Sequence, residues 1–259
     1  MRPREPILPP DWLVLSGYRD ETLGVLKAGK ESEVHLVARS DGHRISYLAE
    51  KRFKPRAVRS FRNDGLYVGG WVMGDRRAAK AIRKRTTRGI AMLEAAWAGR
   101  EWRNLVLFHD AGATVPPPVE PVTGGYRMAF IGDDGVAAPR LSSARPDRAL
   151  AARLYGQLLD EIAVLLSCER VHGDLSEYNV LLWRGRAVVI DFSQTVDLIT
   201  HPAARTLLRR DVEHVCAYFR RLGVTADPDA AWRELGADAA LTGRQGSSAL
   251  AESSDQVGP

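Results

Sequence analysis

The sequence has very few cysteines and no long apolar run. The chain of 259 residues contains two cysteines, Cys168 and Cys216, whose separation fits neither a disulfide framework nor the ligand spacing of a zinc site. No apolar segment approaches the roughly 18 residues that a membrane-spanning helix needs, and the N-terminus lacks the apolar core of a signal peptide. These absences exclude a disulfide-stabilised secreted scaffold and an integral membrane protein. We therefore expect a cytoplasmic protein without a membrane partner.

Positive charge is concentrated in one segment. The formal net charge is +5, and residues 76–88 carry basic side chains without a single acidic one. The basic residues of this block are Arg76, Arg77, Lys80, Arg83, Lys84, Arg85 and Arg88. Such a block fits a contact with the phosphates of RNA or with an acidic partner, and it fits equally well the solvated face of a helix in an Arg-rich sequence.

Strand-like patterns dominate the first half of the chain. Residues 1–22 are rich in proline and predict an irregular N-terminal arm, after which a strand pattern begins at Leu23. The pair Asp41–Gly42 predicts the turn of a hairpin. A helix is predicted over about 77–108, and a further strand over 126–131.

Helical patterns dominate the second half. The polar connection from Gly132 to Ser143 predicts a boundary between an N-lobe at about 23–132 and a C-lobe at about 133–241. Helices are predicted from Pro146 onward, over 203–222 and over 228–240, around one small hairpin, and the tail 242–259 is predicted to be disordered. This order of elements predicts an α+β protein with two lobes, a small β-rich one followed by a mainly helical one.

The most informative segment runs from His172 to Asn179. Its residues, His-Gly-Asp-Leu-Ser-Glu-Tyr-Asn, have the spacing H-x-D-x-x-x-x-N of a kinase catalytic loop. Phosphoryl transfer needs a carboxylate that orients and deprotonates the attacking hydroxyl, and Asp174 is placed for that role. It also needs a metal ion that neutralises phosphate charge, and Asn179 can supply a neutral oxygen ligand. The loop therefore predicts an Mg²⁺-dependent enzyme that uses ATP.

A second carboxylate follows the apolar run Val188–Ile190. Asp191 ends a predicted strand, and a hairpin between Asn179 and Asp191 would bring the two side chains together, where both could bind Mg²⁺. Taken alone, Asp191 would more readily be a strand-end carboxylate that caps a turn. Beside Asp174 and Asn179, the interpretation as a metal ligand is favoured.

The first half of the chain carries candidates for binding the nucleotide. Lys51 lies in the strand that returns from the hairpin, and Glu101 lies on the following helix, where it can form an ion pair with Lys51. Between the first two strands, where a phosphate-covering loop belongs, stand Gly29, Lys30, Glu31 and Ser32. Residues 24–30 also match the start of a Walker A loop, but Glu31 stands where that loop needs Ser or Thr, which excludes it.

Taken together, these segments resemble the RIO family of atypical serine/threonine kinases, especially its branch without an N-terminal winged helix. The matching segments, over residues 23–224, are Gly29–Val34, Lys51 with Lys54, Trp97–Leu105, Phe130–Gly132, His172–Asn179, Ile190–Gln194 and His201–Pro202. The resemblance implies a two-lobed protein-kinase-like fold with a reduced helical C-lobe. It also implies a serine/threonine protein kinase or ATPase that uses ATP and Mg²⁺.

The resemblance also implies roles for individual residues. Lys51 would contact the α- and β-phosphates, Ser32 would contact phosphate, and Ala129 and Ile131 would bind adenine through backbone groups. Asp174 would be the base, and Asn179 and Asp191 the metal ligands. In this family the metal-binding aspartate can itself accept phosphate, which makes Asp191 a candidate phospho-acceptor. Family members act in maturation of the small ribosomal subunit, so the block from Arg76 to Arg88 is a candidate contact with RNA or the ribosome.

Some residues depart from the family or from ordinary kinases. Ala129 stands where the hinge often has Glu, and Glu50 beside Lys51 replaces an apolar residue and should point to the other face of the strand. No A-P-E triplet follows Asp191, so a platform for peptide docking is not expected and the protein substrate is unknown.

Two other functions remain open. Small-molecule phosphotransferases of the aminoglycoside or choline kinase type share the H-G-D-x-x-x-x-N loop and the later aspartate. A nucleotide-gated binding module would use the same residues with turnover as a secondary event.

Overall fold

The computed structural model describes residues 6–54 and 87–242, and for residues 87–98 it describes the backbone alone. The described chain divides into two compact units. The sheet unit contains the described residues up to Val106 together with Pro117–Ala137, and the helical unit contains Leu107–Pro116 and the described residues from Ala138 onward. Residues 55–86, which include most of the Arg76–Arg88 block, and the tail from residue 243 lie outside the described residues.

The sheet unit is built on one antiparallel sheet. Its strands are β1 (Arg19–Ala28), β2 (Ser32–Ser40), β3 (Ile45–Phe53), β4 (Pro118–Val122) and β5 (Gly125–Ala129), and their order across the sheet is β1-β2-β3-β5-β4. The helix α1 (Thr87–Asp110) belongs to this unit up to Val106. Two short strands, β6 (Gly132–Asp133) and β7 (Val136–Ala137), form a small hairpin at the end of the unit. Tyr126 and Ala49 are buried on the face of the sheet that carries Lys51, and Val37 and Leu48 are buried on the opposite face.

Several boundaries in the sheet unit differ from the sequence prediction. The first strand begins at Arg19, so the predicted domain start at Leu23 falls inside β1. The strand predicted over 126–131 runs instead from Gly125 to Ala129. Residues 133–137 pack with the sheet unit, although they were predicted to open the C-lobe. In each case hydrogen bonding to a neighbouring strand decides the boundary, and a single-sequence pattern does not contain that information.

One strand of the five-stranded sheet was not predicted. Strand β4 contains Pro118 and Pro121, and proline normally argues against a strand because it cannot donate a backbone hydrogen bond. In the sheet, β4 is the outermost strand next to β5, where one side of its backbone needs no partner. An edge position tolerates proline, so the wrong prediction has a physical reason.

The helical unit consists of five helices and two pairs of short strands within the described residues. The helices are α2 (Leu141–Ala144), α3 (Arg148–Ser167), α4 (Ala204–Arg221), α5 (Pro228–Glu234) and α6 (Ala237–Thr242). The strand pairs are β8 (Arg170–Val171) with β11 (Val196–Asp197), and β9 (Val180–Trp183) with β10 (Arg186–Val189). The stretch predicted as one helix over 228–240 is two helices, because the chain turns at Gly236, which has a positive φ of 59°.

Helix α3 forms the centre of the helical unit. Asp147 caps its start, where the side chain accepts the N–H of Leu150 at 2.8 Å, so the helix begins at Arg148 and not at the predicted Pro146. Leu154, Leu158 and Ile162 lie along its buried face. Burying such side chains contributes about 1.5–3 kcal/mol each, which makes α3 a rigid support for the loop that follows it. No helix in the described part of the chain is both long and apolar enough to cross a membrane.

The architecture agrees with the predicted class. A five-stranded antiparallel sheet with one long helix forms the first unit, and helices around a small hairpin form most of the second. The predicted α+β, two-lobed layout is therefore confirmed.

Candidate active site

In the sheet unit, Lys51 and Glu101 form a buried ion pair. The Lys51 Nζ lies 2.5 Å from Glu101 Oε1, and the two side chains are 6% and 1% exposed. Lys51 stands in β3, and Glu101 in α1 packs on the same face of the sheet. Glu50 points to the other face, where it binds the guanidinium of Arg127 at 2.6 Å, as strand alternation predicts. The pairing expected from the sequence is thus present within this unit.

The segment Gly29–Ser32 forms a tight connection between β1 and β2. The N–H of Gly29 donates to the carbonyl of Ser32 at 2.9 Å, and the N–H of Lys54 donates to the carbonyl of Glu31 at the same distance. A Cβ atom at Gly29 would lie 3.2 Å from the Ser32 carbonyl oxygen, so glycine relieves a close backbone approach. The Lys30 side chain is exposed, and Ser32 opens β2. The loop is short and tied to the end of β3, which suits a loop that covers phosphates.

The predicted adenine-binding residues lie at the end of β5. Ala129 and Ile131 are both buried. The N–H of Ala129 donates to the carbonyl of Pro117 at 2.8 Å, and the N–H of Phe130 donates to Tyr47 at 3.1 Å. Because the Ala129 N–H is engaged within the sheet unit, we expect Ala129 to recognise a base through its carbonyl.

In the helical unit, His172 holds the start of the predicted catalytic loop. Its Nδ1 accepts the N–H of Asp174 at 3.3 Å, and its Nε2 lies 3.3 Å from the carbonyl of Ile190. The ring also packs against Phe192, with centroids 5.4 Å apart. An accepting Nδ1 requires the proton on Nε2, so a neutral imidazole joins the loop to the end of β10. His172 is therefore a structural connection within the loop.

The Asn179 side chain donates two hydrogen bonds to Asp174, the predicted base. Its Nδ2 donates to Asp174 Oδ2 at 3.0 Å and to the Asp174 carbonyl at 2.8 Å. These bonds fix which end of the amide is the donor, and they direct the Asn179 Oδ1 away from Asp174 as an acceptor. The same arrangement holds the Asp174 carboxylate in one orientation.

Asp191 comes two residues after the end of β10, the strand that pairs with β9 beyond Asn179. Strands β9 and β10 pair with Val180 opposite Val189, and the N–H of Ile190 donates to the carbonyl of Asn179 at 3.0 Å. Asp191 itself has a positive φ of 69°, which is uncommon for a residue other than glycine. The hairpin predicted from the sequence therefore brings the Asp191 backbone next to that of Asn179.

The oxygen donors of this loop fit a magnesium ion. Carboxylate and amide oxygens are hard ligands, and Mg²⁺ commonly uses one or two protein side chains and completes its shell with water and phosphate oxygens. The described residues contain no group of three or more His, Cys, Asp or Glu arranged to hold a metal ion. Asn179 and Asp191 supply oxygen donors of the kind that Mg²⁺ uses.

Asp211 is a functional candidate that sequence reasoning missed. From α4 its carboxylate accepts the backbone N–H groups of Gly173 at 2.7 Å and of Leu175 at 3.0 Å, on either side of Asp174. Burial raises the pKa of Asp211 to about 7, and these two hydrogen bonds and the charge of Arg210 act in the opposite direction. In the sequence, Asp211 looks like an ordinary acid on an amphipathic helix, and no local signal distinguishes it.

The antiparallel sheet with one long helix and the mainly helical second unit agree with the protein-kinase-like fold predicted from the sequence. A family model described as RIO domain matches residues 44–231. The chain belongs to the RIO family. This confirms the resemblance derived from the sequence motifs.

Curated relatives support the assignment. The chain is 32% identical to "Serine/threonine-protein kinase rio1" of Schizosaccharomyces pombe over 81% of its own length and 40% of that protein. It is 30% identical to "RIO-type serine/threonine-protein kinase Rio1" of Haloferax volcanii over 87% of its own length and 72% of that protein. The corresponding protein of Thermoplasma acidophilum is 31% identical, with 71% of this chain and 90% of that protein covered.

The coverage differs between these relatives. The chain spans 40% of the Schizosaccharomyces protein and 37% of the Caenorhabditis elegans "Serine/threonine-protein kinase RIO1". Among solved structures, that of the Cydia pomonella granulovirus kinase PK-1 matches with a TM-score of 0.48 and 14% identity, over 78% of this chain and 67% of that one. A similarity of this size adds nothing to the family assignment.

Proposed function

We propose that this protein is an Mg²⁺- and ATP-dependent phosphotransferase of RIO type, acting as a serine/threonine protein kinase or as an ATPase. The observation that carries the proposal is the pair of hydrogen bonds from Asn179 Nδ2 to Asp174, which fixes the carboxylate and presents the amide oxygen as a ligand. The curated relatives, all of which are named serine/threonine-protein kinases, support the same reaction class.

Asp174 is the proposed base. Its carboxylate accepts the proton of a serine or threonine hydroxyl, or of water, as that oxygen attacks the γ-phosphorus of ATP and ADP leaves. Because Asp174 is held by Asn179 and its backbone is anchored by Asp211 through Gly173 and Leu175, the base needs little reorganisation.

The remaining proposed site residues bind the nucleotide and the metal. Lys51, held by Glu101, contacts the α- and β-phosphates, and the Gly29–Ser32 loop covers the phosphates. Ala129 and Ile131 bind adenine through backbone groups. Asn179 and Asp191 would hold Mg²⁺, which would neutralise charge on the phosphate oxygens.

Asp191 is also the proposed phospho-acceptor in an ATPase cycle. A carboxylate oxygen of Asp191 would attack the γ-phosphorus, release ADP and form an acyl phosphate, which water then hydrolyses to free phosphate and the original carboxylate. In a protein kinase cycle the phosphoryl group would go instead to a hydroxyl. The chemical stability of the labelled protein distinguishes the two cycles, because an acyl phosphate reacts with hydroxylamine and a phosphoserine does not.

The first test is ATP turnover by the purified protein with Mg²⁺ and no added substrate. Wild type is compared with Asp174→Asn and Asp191→Asn, and with Asp110→Asn as a matched control, since the Asp110 side chain is 70% exposed. We expect turnover in wild type and in the control, and a loss of at least about 100-fold in both site variants. If wild type neither binds nor hydrolyses ATP with Mg²⁺ or Mn²⁺, the proposed function is wrong.

Contact with RNA is a separate part of the proposal. The acid-free block from Arg76 to Arg88 supplies enough charge for a phosphate contact. Binding of a structured RNA should weaken steeply with salt and should fall when Arg83, Lys84 and Arg85 are changed to Gln. Affinity that is unaffected by these changes would assign the block to the solvated face of a helix.

A further inference from the structure

Tyr126 meets the Lys51–Glu101 pair at a single carboxylate oxygen. The Tyr126 hydroxyl donates to Glu101 Oε1 at 3.1 Å, and Lys51 Nζ donates to the same oxygen at 2.5 Å. Tyr126 and Glu101 are almost completely buried, at 2% and 1% exposure. Two donors of different origin, one from β5 and one from β3, therefore converge on one atom of α1.

The tyrosine ring is held from two sides. Its centroid lies 5.8 Å from that of Trp102, which follows Glu101 in α1, and 6.3 Å from that of Phe53, which lies in β3. Tyr126 is also the cross-strand partner of Lys51 in the pairing of β3 with β5. Because a tyrosine has only two side-chain torsions and this buried ring packs against two other aromatic rings, the hydroxyl has little freedom to leave the carboxylate.

The residue before Tyr126 explains how the ring comes so close to Lys51. A Cβ atom at Gly125 would lie 1.9 Å from the carbonyl oxygen of Lys51, a distance that no side chain can occupy. Glycine at this position is required by the close approach of β5 to β3. The approach places Tyr126 beside Lys51 in the sheet.

A lysine–glutamate pair without a third group is loosely oriented. Both side chains have several rotatable bonds, and a lysine ammonium is a compact point charge that can bind a carboxylate from many directions. A second donor on the same oxygen restricts rotation of the Glu101 carboxylate, and the restricted carboxylate then restricts the Lys51 ammonium. The order of dependence runs from Tyr126 to Glu101 to Lys51.

We propose that Tyr126 is a positioning residue, which orients the Glu101 carboxylate so that Lys51 is presented to the phosphates of ATP. This inference rests on the proposed function for the role of Lys51, but the orienting effect itself is a property of the sheet unit. Tyr126 does not contact the nucleotide in this proposal. Its effect passes entirely through Glu101.

Tyr126→Phe is the test variant, because it keeps the ring between Trp102 and Phe53 and removes only the hydroxyl. The control is Tyr218→Phe, which also removes a buried hydroxyl that donates one hydrogen bond, to the carbonyl of Leu141 at 2.7 Å. We expect kcat/KM for ATP to fall about three- to tenfold in Tyr126→Phe and to stay near wild type in the control.

A double-mutant cycle separates positioning from general packing. If Tyr126 acts through Glu101, then adding Tyr126→Phe to a Glu101→Gln background should lower kcat/KM no further. If the two changes lower kcat/KM independently and their effects multiply, Tyr126 acts by another route and the inference is wrong.

A second readout needs no turnover. The rate at which a small acetylating reagent modifies Lys51, measured by peptide mass spectrometry against Lys54 as internal reference, reports how firmly the ammonium is held, because pairing with a carboxylate favours the unreactive charged form. We expect a rate about three- to tenfold higher in Tyr126→Phe, higher again in Glu101→Gln, and unchanged in Tyr218→Phe.

ATP turnover and the acetylation rate test different proposals. Absence of ATP binding and turnover in wild type would reject the proposed function, while the acetylation series would still decide whether Tyr126 orients the pair. Normal turnover in wild type together with an unchanged acetylation rate in Tyr126→Phe would reject the inference and leave the proposed function intact.

Discussion

The carboxylate of Asp211 accepts the backbone N–H of Gly173 at 2.7 Å, and this bond connects the proposed catalytic loop to the middle of α4. With the second bond from Leu175 at 3.0 Å, the residues before and after Asp174 are both hydrogen-bonded to one buried side chain. The arrangement orients the proposed base through its backbone, while Asn179 orients it through its side chain. Two separate elements therefore determine where one carboxylate points.

Asp211→Asn should impair catalysis more than its small change in size suggests. The asparagine has one acceptor oxygen, so its amide hydrogens would face one of the two N–H groups. We expect kcat to fall about 10- to 100-fold, because a small displacement of the base is costly, and the free energy of unfolding to fall by about 1–3 kcal/mol. Glu213→Gln, on the same helix but half exposed, is the control and should keep wild-type kcat. Wild-type kcat in Asp211→Asn would show that the loop holds its own shape.

The raised pKa of Asp211 predicts that the free energy of unfolding depends on pH. Burial raises the pKa of Asp211 to about 7, above its value of about 4 in an unfolded chain. Between these two values the folded state holds a proton that the unfolded chain has lost, so the contribution of this group to the free energy of unfolding decreases as pH rises. Arg210, whose guanidinium bonds to the carbonyl of Gly173, and Asp174 are the charged groups that act on it.

The pH prediction is measured as a difference between two proteins. The free energy of unfolding of wild type minus that of Asp211→Asn should decrease steadily from about pH 4 to about pH 7 and level off above that. Urea denaturation at intervals of half a pH unit gives the curve. A difference that is flat across this range would mean that Asp211 is ionised throughout.

A network of charges covers the other face of the sheet. Asp20, Glu50 and Glu120 lie among Arg39, Arg52 and Arg127 on all five strands. Arg127 is its centre, with bonds to Glu50 at 2.6 Å, Asp20 at 2.5 Å and Glu120 at 3.0 Å. Burial acts to raise the pKa of Glu50, but the hydrogen bonds from Arg127 and Arg52 outweigh it and hold that pKa below its ordinary value.

Arg127→Met should therefore destabilise the sheet unit. The change leaves Glu50, which is 3% exposed, without its better-buried partner, and breaking a buried ion pair costs about 3–5 kcal/mol. Arg44→Met removes a pair that is 3.6 Å long and half exposed, so it should cost less than about 1 kcal/mol and serves as the control. Chemical denaturation at pH 7 measures both. If both variants lower the free energy of unfolding equally, the network contributes no more to stability than an exposed ion pair does.

The contribution of this network to the free energy of unfolding changes with pH in the opposite direction to that of Asp211. Because the pKa of Glu50 and that of Asp20 are lowered in the folded state, their stabilisation is present above about pH 4 and is lost as pH falls through the folded values. Stability of wild type should thus decline in acid more steeply than that of Arg127→Met, which has already lost the interaction. Parallel curves would rule out this origin of acid sensitivity.

The sequence predicted the parts of the site whose residues are close along the chain. Asp174 and Asn179 are five positions apart, and their spacing is itself the signal for the loop. The hairpin that joins Asn179 to Asp191 is equally local. Such short-range geometry is imposed by covalent connection and one pair of strands, so a pattern of residue types is sufficient to predict it.

The contributions of Asp211 and Tyr126 could not be predicted in the same way. Asp211 lies 36 residues from Leu175 along the chain, and Tyr126 lies 25 from Glu101. Each looks like an ordinary member of its element, an acid on a helix or an aromatic residue in a strand. Their roles depend on packing between distant elements, which is also why the edge strand with Pro118 was missed.

Gly132 offers the last test, because its backbone leaves no room for a side chain. Its φ is +157°, near the edge of the left-handed region, and a Cβ atom there would lie 2.1 Å from the carbonyl oxygen of Val136 in the β6–β7 hairpin. Gly132→Ala should therefore open this hairpin and lower the free energy of unfolding by about 1–3 kcal/mol. Gly156→Ala is the matched control: Gly156 lies in α3 with nothing within 4 Å of an added Cβ, so alanine should stabilise by about 0.5–1 kcal/mol. If Gly→Ala lowers the free energy of unfolding at Gly132 and raises it at Gly156, the loss at Gly132 is caused by its backbone surroundings. If alanine raises the free energy of unfolding at both positions, the hairpin accommodates the added side chain without loss of stability.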